Sequence, residues 1–155
     1  MHLKRFLFLI STILLFSCSD GVDDLSYLKK IEDPELFQAA IQNLTDIVVY
    51  DIFSPPVASR VYLYPSIVAY EVVRQAAPLN YNSLVGQVKG LTPLPKPPTK
   101  QVNFHLASIY AFNEVGKAFI FSEKKMEMFQ EKFANTIKEL KVPRNVDKAS
   151  KAYGL

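Results

Sequence analysis

An all-α fold, a bundle of about four to five helices, is what three features of this 155-residue sequence predict. Apolar residues recur at three- and four-residue spacing along four separate stretches, the mark of helices with one buried face. No stretch of useful length alternates apolar and polar residues, and no hairpin dipeptide joins two apolar runs. Prolines and capping residues fall where those stretches must begin and end. The length suits one domain of ordinary size.

The N-terminus follows a secretory pattern. His2, Lys4 and Arg5 precede an apolar run, Phe6 to Phe16, broken only by Ser11 and Thr12. Such a run is too short for a bilayer crossing of about 20 helical residues, and fits a signal-peptide core. It ends in Leu15-Phe16-Ser17-Cys18, which resembles a lipoprotein lipobox, with Cys18 as the residue to be lipidated. An ordinary signal peptide or a tethering leader with an incidental cysteine is the alternative. Residues 1–18 are therefore expected to be a lipoprotein-type signal peptide and 19–32 a polar tether. The acidic Ser19-Asp20-Gly21-Val22-Asp23-Asp24 segment resembles the export tethers of Bacteroidetes surface lipoproteins. The expected location is the cell envelope, on the periplasmic or surface face of the outer membrane, with the membrane as partner through the lipid.

Charge argues against nucleic acid as a partner. Of 18 basic residues Lys4 and Arg5 would leave with the leader, so 16 remain against 15 acidic ones, with no basic block. The single cysteine excludes an intramolecular disulfide.

The helical region is expected over 33–155. Leu25 to Ile31 is a short mixed segment, to be ordered by docking. Asp33-Pro34-Glu35 opens the first firm helix: Asp33 caps free amides, Pro34 is preset for the first turn, and Glu35 favours the positive end of the dipole. Phe37, Ala40, Ile41, Leu44, Ile47 and Val48 make its stripe. Val49 to Phe53 is apolar nearly all round, so this end is expected to be buried, with Pro55 forbidding continuation. The second helix starts at Pro55-Pro56 with Ser54 as cap. Pro65 in its middle removes the bond to Val61 and is expected to bend or divide it. Ala76-Ala77-Pro78 ends it.

Residues 79–100 form a long connection, with Leu84, Val85, Val88 and Leu91 as a short amphipathic helix. Four prolines between Pro93 and Pro98 then impose an extended path. The third helix is expected from about Lys100 to Phe121, with Leu106, Ile109, Phe112, Gly116, Phe119 and Ile120 buried. Gly116 implies a helix passing close by. Ser122 caps a fourth helix to about Lys141, with Met126, Phe129, Phe133, Ile137 and Leu140 inward. After Pro143, the residues Val146, Ala149, Ala152 and Tyr153 begin another helical face.

No reactive constellation stands out. There is no Gly-rich phosphate loop, no paired-histidine zinc spacing and no Gly-x-Ser-x-Gly setting. His105 reads as a partly exposed or hydrogen-bonded helix residue. Asp46, Asp51 and Glu71 lie near apolar stretches, with Arg60 and Arg74 as partners, and the expected result is an ion pair tying the first two helices together. Tyr62, Tyr64 and Tyr70 read as core residues with hydroxyls at the rim. No catalytic, cofactor-binding or metal-ligating residue is assigned.

The run Asp51-Ile52-Phe53-Ser54-Pro55-Pro56-Val57-Ala58-Ser59-Arg60, with Tyr64-Pro65-Ser66 and Ala69-Tyr70-Glu71, resembles the N-terminal region of bacterial vanadium-dependent haloperoxidase-like proteins of the type 2 phosphatidic acid phosphatase superfamily. The resemblance continues through Gly90-Leu91-Thr92-Pro93, Pro95-Lys96-Pro97, Ala107-Ser108-Ile109-Tyr110-Ala111-Phe112 and Phe121-Ser122-Glu123, and covers roughly residues 40 to 155. It implies a helical bundle within a longer chain. Its oxyanion site would be built from a Lys…Arg-Pro segment, a Pro-Ser-Gly-His segment and a Ser-Arg…His segment. Several cations hold a multiply charged phosphate or vanadate there, and an imidazole attacks phosphorus or ligates vanadium. Ser59-Arg60 is followed by no histidine in its helix, and Arg144 by no proline. No family site residue is therefore carried over. The resemblance implies a scaffold that is inactive alone, with vanadate bound only by a full-length parent and a missing C-terminal helical region as partner. A complete small helical lipoprotein that binds or scaffolds a partner is the other reading.

Overall fold

The computed structural model describes residues 25–97 and 101–155. The expected leader, Cys18 and the start of the tether lie outside the described residues, as does Pro98. Six α-helices follow in order: α1 Ser26–Ile31, α2 Pro34–Tyr50, α3 Pro55–Val73, α4 Phe104–Lys117, α5 Glu123–Glu139 and α6 Arg144–Gly154. No strand occurs among the described residues. The all-α expectation holds.

The centre is α4. Eight consecutive residues, Leu106 to Asn113, are buried, so this helix has no solvent face over two turns. It packs chiefly on α3 and α6, with α2 and α5 completing the ring. Leu106, Ile109 and Phe112 join Leu44, Ile47, Val61, Met126 and Ile137 in one core. Ala107 and Ala111 form a second cluster with Val72 and Val102, against which Ala149 and Tyr153 of α6 pack. The sequence stripe captured the first face of α4 and missed the second. Asn103 starts this helix by accepting from the Leu106 N–H at 3.0 Å, and it stops at Lys117, four residues short of the expected end.

Residues 26–31, read from sequence as the last part of a tether, form α1. Tyr27 and Ile31 are buried against the core. Asp33 caps α2 as expected, accepting from the Glu35 N–H at 2.9 Å.

The C-terminal end of α2 departs from expectation. The helix stops at Tyr50 through a Schellman motif: the Ile52 N–H donates to Val49 O and the Phe53 N–H to Val48 O. Ile52 takes the left-handed position, φ 54°, that usually falls to glycine. This costs a non-glycine residue roughly 1–2 kcal/mol. The helix thereby ends before other elements cover it, and Val49, Tyr50 and Ile52 are 71%, 63% and 87% exposed rather than buried. The α5 end repeats the motif, with Lys141 at φ 58°.

Helix α3 runs unbroken through Pro65, which is buried. The Ser66 hydroxyl donates to Tyr62 O at 2.7 Å one turn back. Neither Ser54 nor Ser122 caps through its side chain. The two prolines at the start of α3 leave few amides to cap, and the Ser122 hydroxyl is committed to Asp51. Residues 84–91 form turns, with Gly86 and Gly90 both at φ 85°, in place of the expected short helix. A left-handed glycine every four residues prevents a helical turn from closing.

The two helical glycines meet different neighbours. A Cβ on Gly116 would lie 3.5 Å from Leu44 and Met126, an ordinary contact. A Cβ on Gly154 would lie 2.6 Å from the Ala107 carbonyl oxygen and 2.8 Å from the Tyr110 Cβ. Gly116→Ala is therefore expected to raise stability by up to about 1 kcal/mol through helix propensity. Gly154→Ala is expected to cost about 1–3 kcal/mol by forcing α6 off α4. Thermal unfolding of both variants checks this, and shifts of the same sign would contradict the packing described.

Candidate functional site

The described residues enclose one mainly apolar hollow of about 360 Å³, between the start of α2, the last turns of α3 and the start of α4. Phe37, Ala69, Val73 and Ile109 form its walls, and Tyr70 and His105 stand among them. A second hollow of about 420 Å³ shares Tyr70, Val73 and His105 and reaches Arg74 and Tyr81. Both volumes fall in the range of small-ligand sites.

Three hydroxyls of this region are spent on the fold. The Ser66 hydroxyl donates to Tyr62 O, the Ser108 hydroxyl to His105 O and the Tyr70 hydroxyl to Asn82 O. Each hydroxyl donates to a backbone carbonyl, and none is paired with a base, which nucleophilic catalysis requires. The mainly apolar lining suits an apolar group.

Beside the second hollow lies the most buried carboxylate among the described residues, Glu71, 2% exposed. It accepts from Arg74 Nε at 2.8 Å, the Ser83 hydroxyl at 3.0 Å and the Leu84 N–H at 2.6 Å. Burial pushes its carboxyl up, but these three donors together outweigh burial and hold it below the usual carboxylate range. The expected ion pair between the first two helices is thus replaced by one inside a single helix end, Glu71 with Arg74 three residues on. The reason is the long connection: its return past α3 presents Ser83 and Leu84 N–H to the same carboxylate.

Asp46 accepts from Gln42 on the surface, and Arg60 is exposed. Asp51 pairs with no arginine in the structure. It accepts from the Phe121 and Ser122 N–H groups at 2.9 and 3.1 Å and from the Ser122 hydroxyl at 2.5 Å. Burial raises its carboxyl, and the Ser122 bonds, the Phe121 amide and Lys125 outweigh it, so it too is lowered. The turn after α2 is thereby fastened to the turn after α4. The three tyrosines are half-buried or exposed rather than core: Tyr64 stacks on Phe119 at 5.1 Å.

Sequence reasoning overlooked the polar joints of α6. Tyr110 donates to Asp147 at 2.5 Å, and burial and that carboxylate push the phenol above its ordinary value. The Ser150 hydroxyl, fully buried, accepts from the Asn103 N–H at 2.9 Å and donates to Val146 O. Tyr153 accepts from Gln75 Nε2 at 2.8 Å and donates to Pro95 O at 2.7 Å. The i, i+3 and i+7 spacing of Asp147, Ser150 and Gly154 could have signalled an inward polar face.

No family model and no curated protein matches the chain. A solved structure does: the crystal structure of a bacterial vanadium-dependent iodoperoxidase, at 44% sequence identity and a TM-score of 0.72. The helical unit is haloperoxidase-like. The match covers 78% of this chain and 29% of that one, so the chain spans under a third of the iodoperoxidase's length.

The hollow around His105 in this haloperoxidase-like unit does not fit an oxyanion such as vanadate. Several converging cations are needed, yet the one that shares a hollow with His105, Arg74, is already held by the Glu71 carboxylate. No group of three or more His, Cys, Asp or Glu side chains placed to hold a metal ion occurs among the described residues.

Because its folded carboxyl is lowered, Glu71 contributes stability above its unfolded value, and that contribution is lost as pH falls through the folded value. Glu71→Ala should therefore cost about 2–3 kcal/mol at neutral pH, since Ser83 and Leu84 lose their buried acceptor. Glu71→Gln should flatten the fall in stability on the acid side of the ordinary glutamate range. Urea unfolding from pH 7 to pH 3 reads both effects, and an unchanged acid slope in Glu71→Gln would remove Glu71 from this role.

Proposed function

We propose that this chain is a non-catalytic helical scaffold of a haloperoxidase-like or acid phosphatase-like protein, whose oxyanion-binding segments lie outside the span described here. One observation carries the reading: 44% identity to a vanadium-dependent iodoperoxidase is confined to 29% of that protein's length. The internal use of the Ser66, Tyr70 and Ser108 hydroxyls supports it, since a scaffold needs its polar groups for joints. Vanadate belongs, in this reading, to the parent protein and is held by cationic segments that supply its charge stabilisation.

The reading includes an envelope anchor at Cys18. No described helix is long and apolar enough to cross a membrane. Attachment would rest on acyl chains at that cysteine, reinforced by a second acyl group or an attached protein, because one chain alone binds marginally.

The decisive test is a graft of the matched span into the iodoperoxidase in place of its counterpart. Vanadate-dependent iodide oxidation should survive within roughly tenfold, a change of about 1.4 kcal/mol in the barrier. This chain by itself should give neither iodide oxidation nor hydrolysis of p-nitrophenyl phosphate, and activity by itself would end the scaffold reading. Separately, Cys18→Ala should move the protein from the membrane fraction and abolish incorporation of labelled palmitate. Unaltered labelling would show that Cys18 is not the anchor.

A further inference from the structure

The end of the bundle where the α2–α3 turn meets the α4–α5 turn carries exposed apolar side chains from three elements. Val49 and Tyr50 project from the last turn of α2, 71% and 63% exposed, Ile52 from the α2–α3 turn, 87% exposed, and Phe121 from the α4–α5 turn, 80% exposed. Ring contacts join the elements at this end. Phe53 packs on Phe121 with ring centroids 4.9 Å apart, Tyr64 stacks on Phe119, and Lys125 lies 3.9 Å over the Tyr50 ring. Asp51 locks both turns together through three hydrogen bonds.

Two features distinguish this surface from scattered exposed residues. It is presented rigidly, because the Asp51 bonds fix the relative position of its halves. Its most exposed member, Ile52, is β-branched and left-handed, a combination that local conformation disfavours and solvent exposure does not repay. A residue that breaks two local rules at once points to a use outside the unit.

We infer that this end is the docking surface for the remainder of the haloperoxidase-like fold, an apolar helical face in the same larger protein. The proposal rests on the scaffold reading above. The occupant follows from proportion: more than two thirds of the matched iodoperoxidase lies outside the matched span, enough chain to cover this end. Large contiguous apolar patches on a lone unit mark such contacts.

Hydroxyl-radical footprinting of this chain and of the graft, read at Tyr50 and Phe121 by mass spectrometry, tests the inference. Both residues should be oxidised readily in the chain alone and about fivefold or more slowly in the graft, as burial in a protein interface predicts. Ile52→Asp should leave the melting temperature of the chain alone unchanged, and should lower that of the graft. Equal footprints in the two proteins, or a graft that does not fold, overturn the proposal. Protection that grows with concentration in the chain alone also overturns it, since a second copy would then be the occupant. A graft that folds and protects both residues yet lacks iodide oxidation retains this interface while removing the scaffold function.

Discussion

The complete burial of α4 is the constraint on which the rest depends. A helix with eight consecutive buried residues needs neighbours on every side. The sequence supplies them with side chains graded in size. Leu106, Ile109 and Phe112 face the wide gaps toward α2 and α5, while Ala107 and Ala111 admit α3 and α6. Contact at Gly154 is so close that no side chain fits between α6 and the Ala107 carbonyl. Small residues set the distance and large ones fill what remains, as close packing demands. Asn113 is the exception within α4. It is 1% exposed and neither side-chain polar atom meets a hydrogen-bond partner, a cost of about 1–3 kcal/mol that the surrounding apolar burial must offset.

Polar groups join segments that apolar packing alone would leave loose. Glu71 holds the returning connection to α3, Tyr153 fixes Pro95, and Ser150 reaches the residue that starts α4. Asp51 fastens two turns that are 70 residues apart in sequence. In each case a side chain serves a backbone amide or carbonyl that no helix satisfies. Carboxylates used in this way are lowered by their donors and stay ionised. Charge is thereby spent on architecture.

The helices were legible because periodicity reports burial directly: the stripes of α2 and α5 contain Leu44, Ile47, Met126, Phe133 and Ile137, all buried. Caps were legible only where the side chain had no stronger partner. Asp33 caps, whereas Ser122 has the same local signature and gives its hydroxyl to a carboxylate far along the chain. The second face of α4 was hidden because alanines weigh little in an apolar pattern yet decide which helix can approach. Glu71 and Arg74 were visible as charges, and their mutual pairing was not. The partner that settles the choice, the Leu84 amide, is a backbone group any sequence possesses. The hollow around His105 was not legible, since hollows arise from how helices cross.

The two Schellman ends show how much a buried-face argument can miss. Both place a non-glycine residue in the left-handed position, with the same pair of backbone bonds. At Lys141 the strain is offset cheaply, because a charged side chain is at ease in water next to the negative end of a helix dipole. At Ile52 nothing comparable acts: the side chain gains neither burial nor charge complementarity within the unit, and its neighbours Val49 and Phe121 share that exposure. Identical backbone geometry with opposite side-chain chemistry separates a helix end built for solvent from one built for contact. The apolar run expected in the interior of this unit is exposed there, and in the docking proposal its burial comes from a surface beyond the unit.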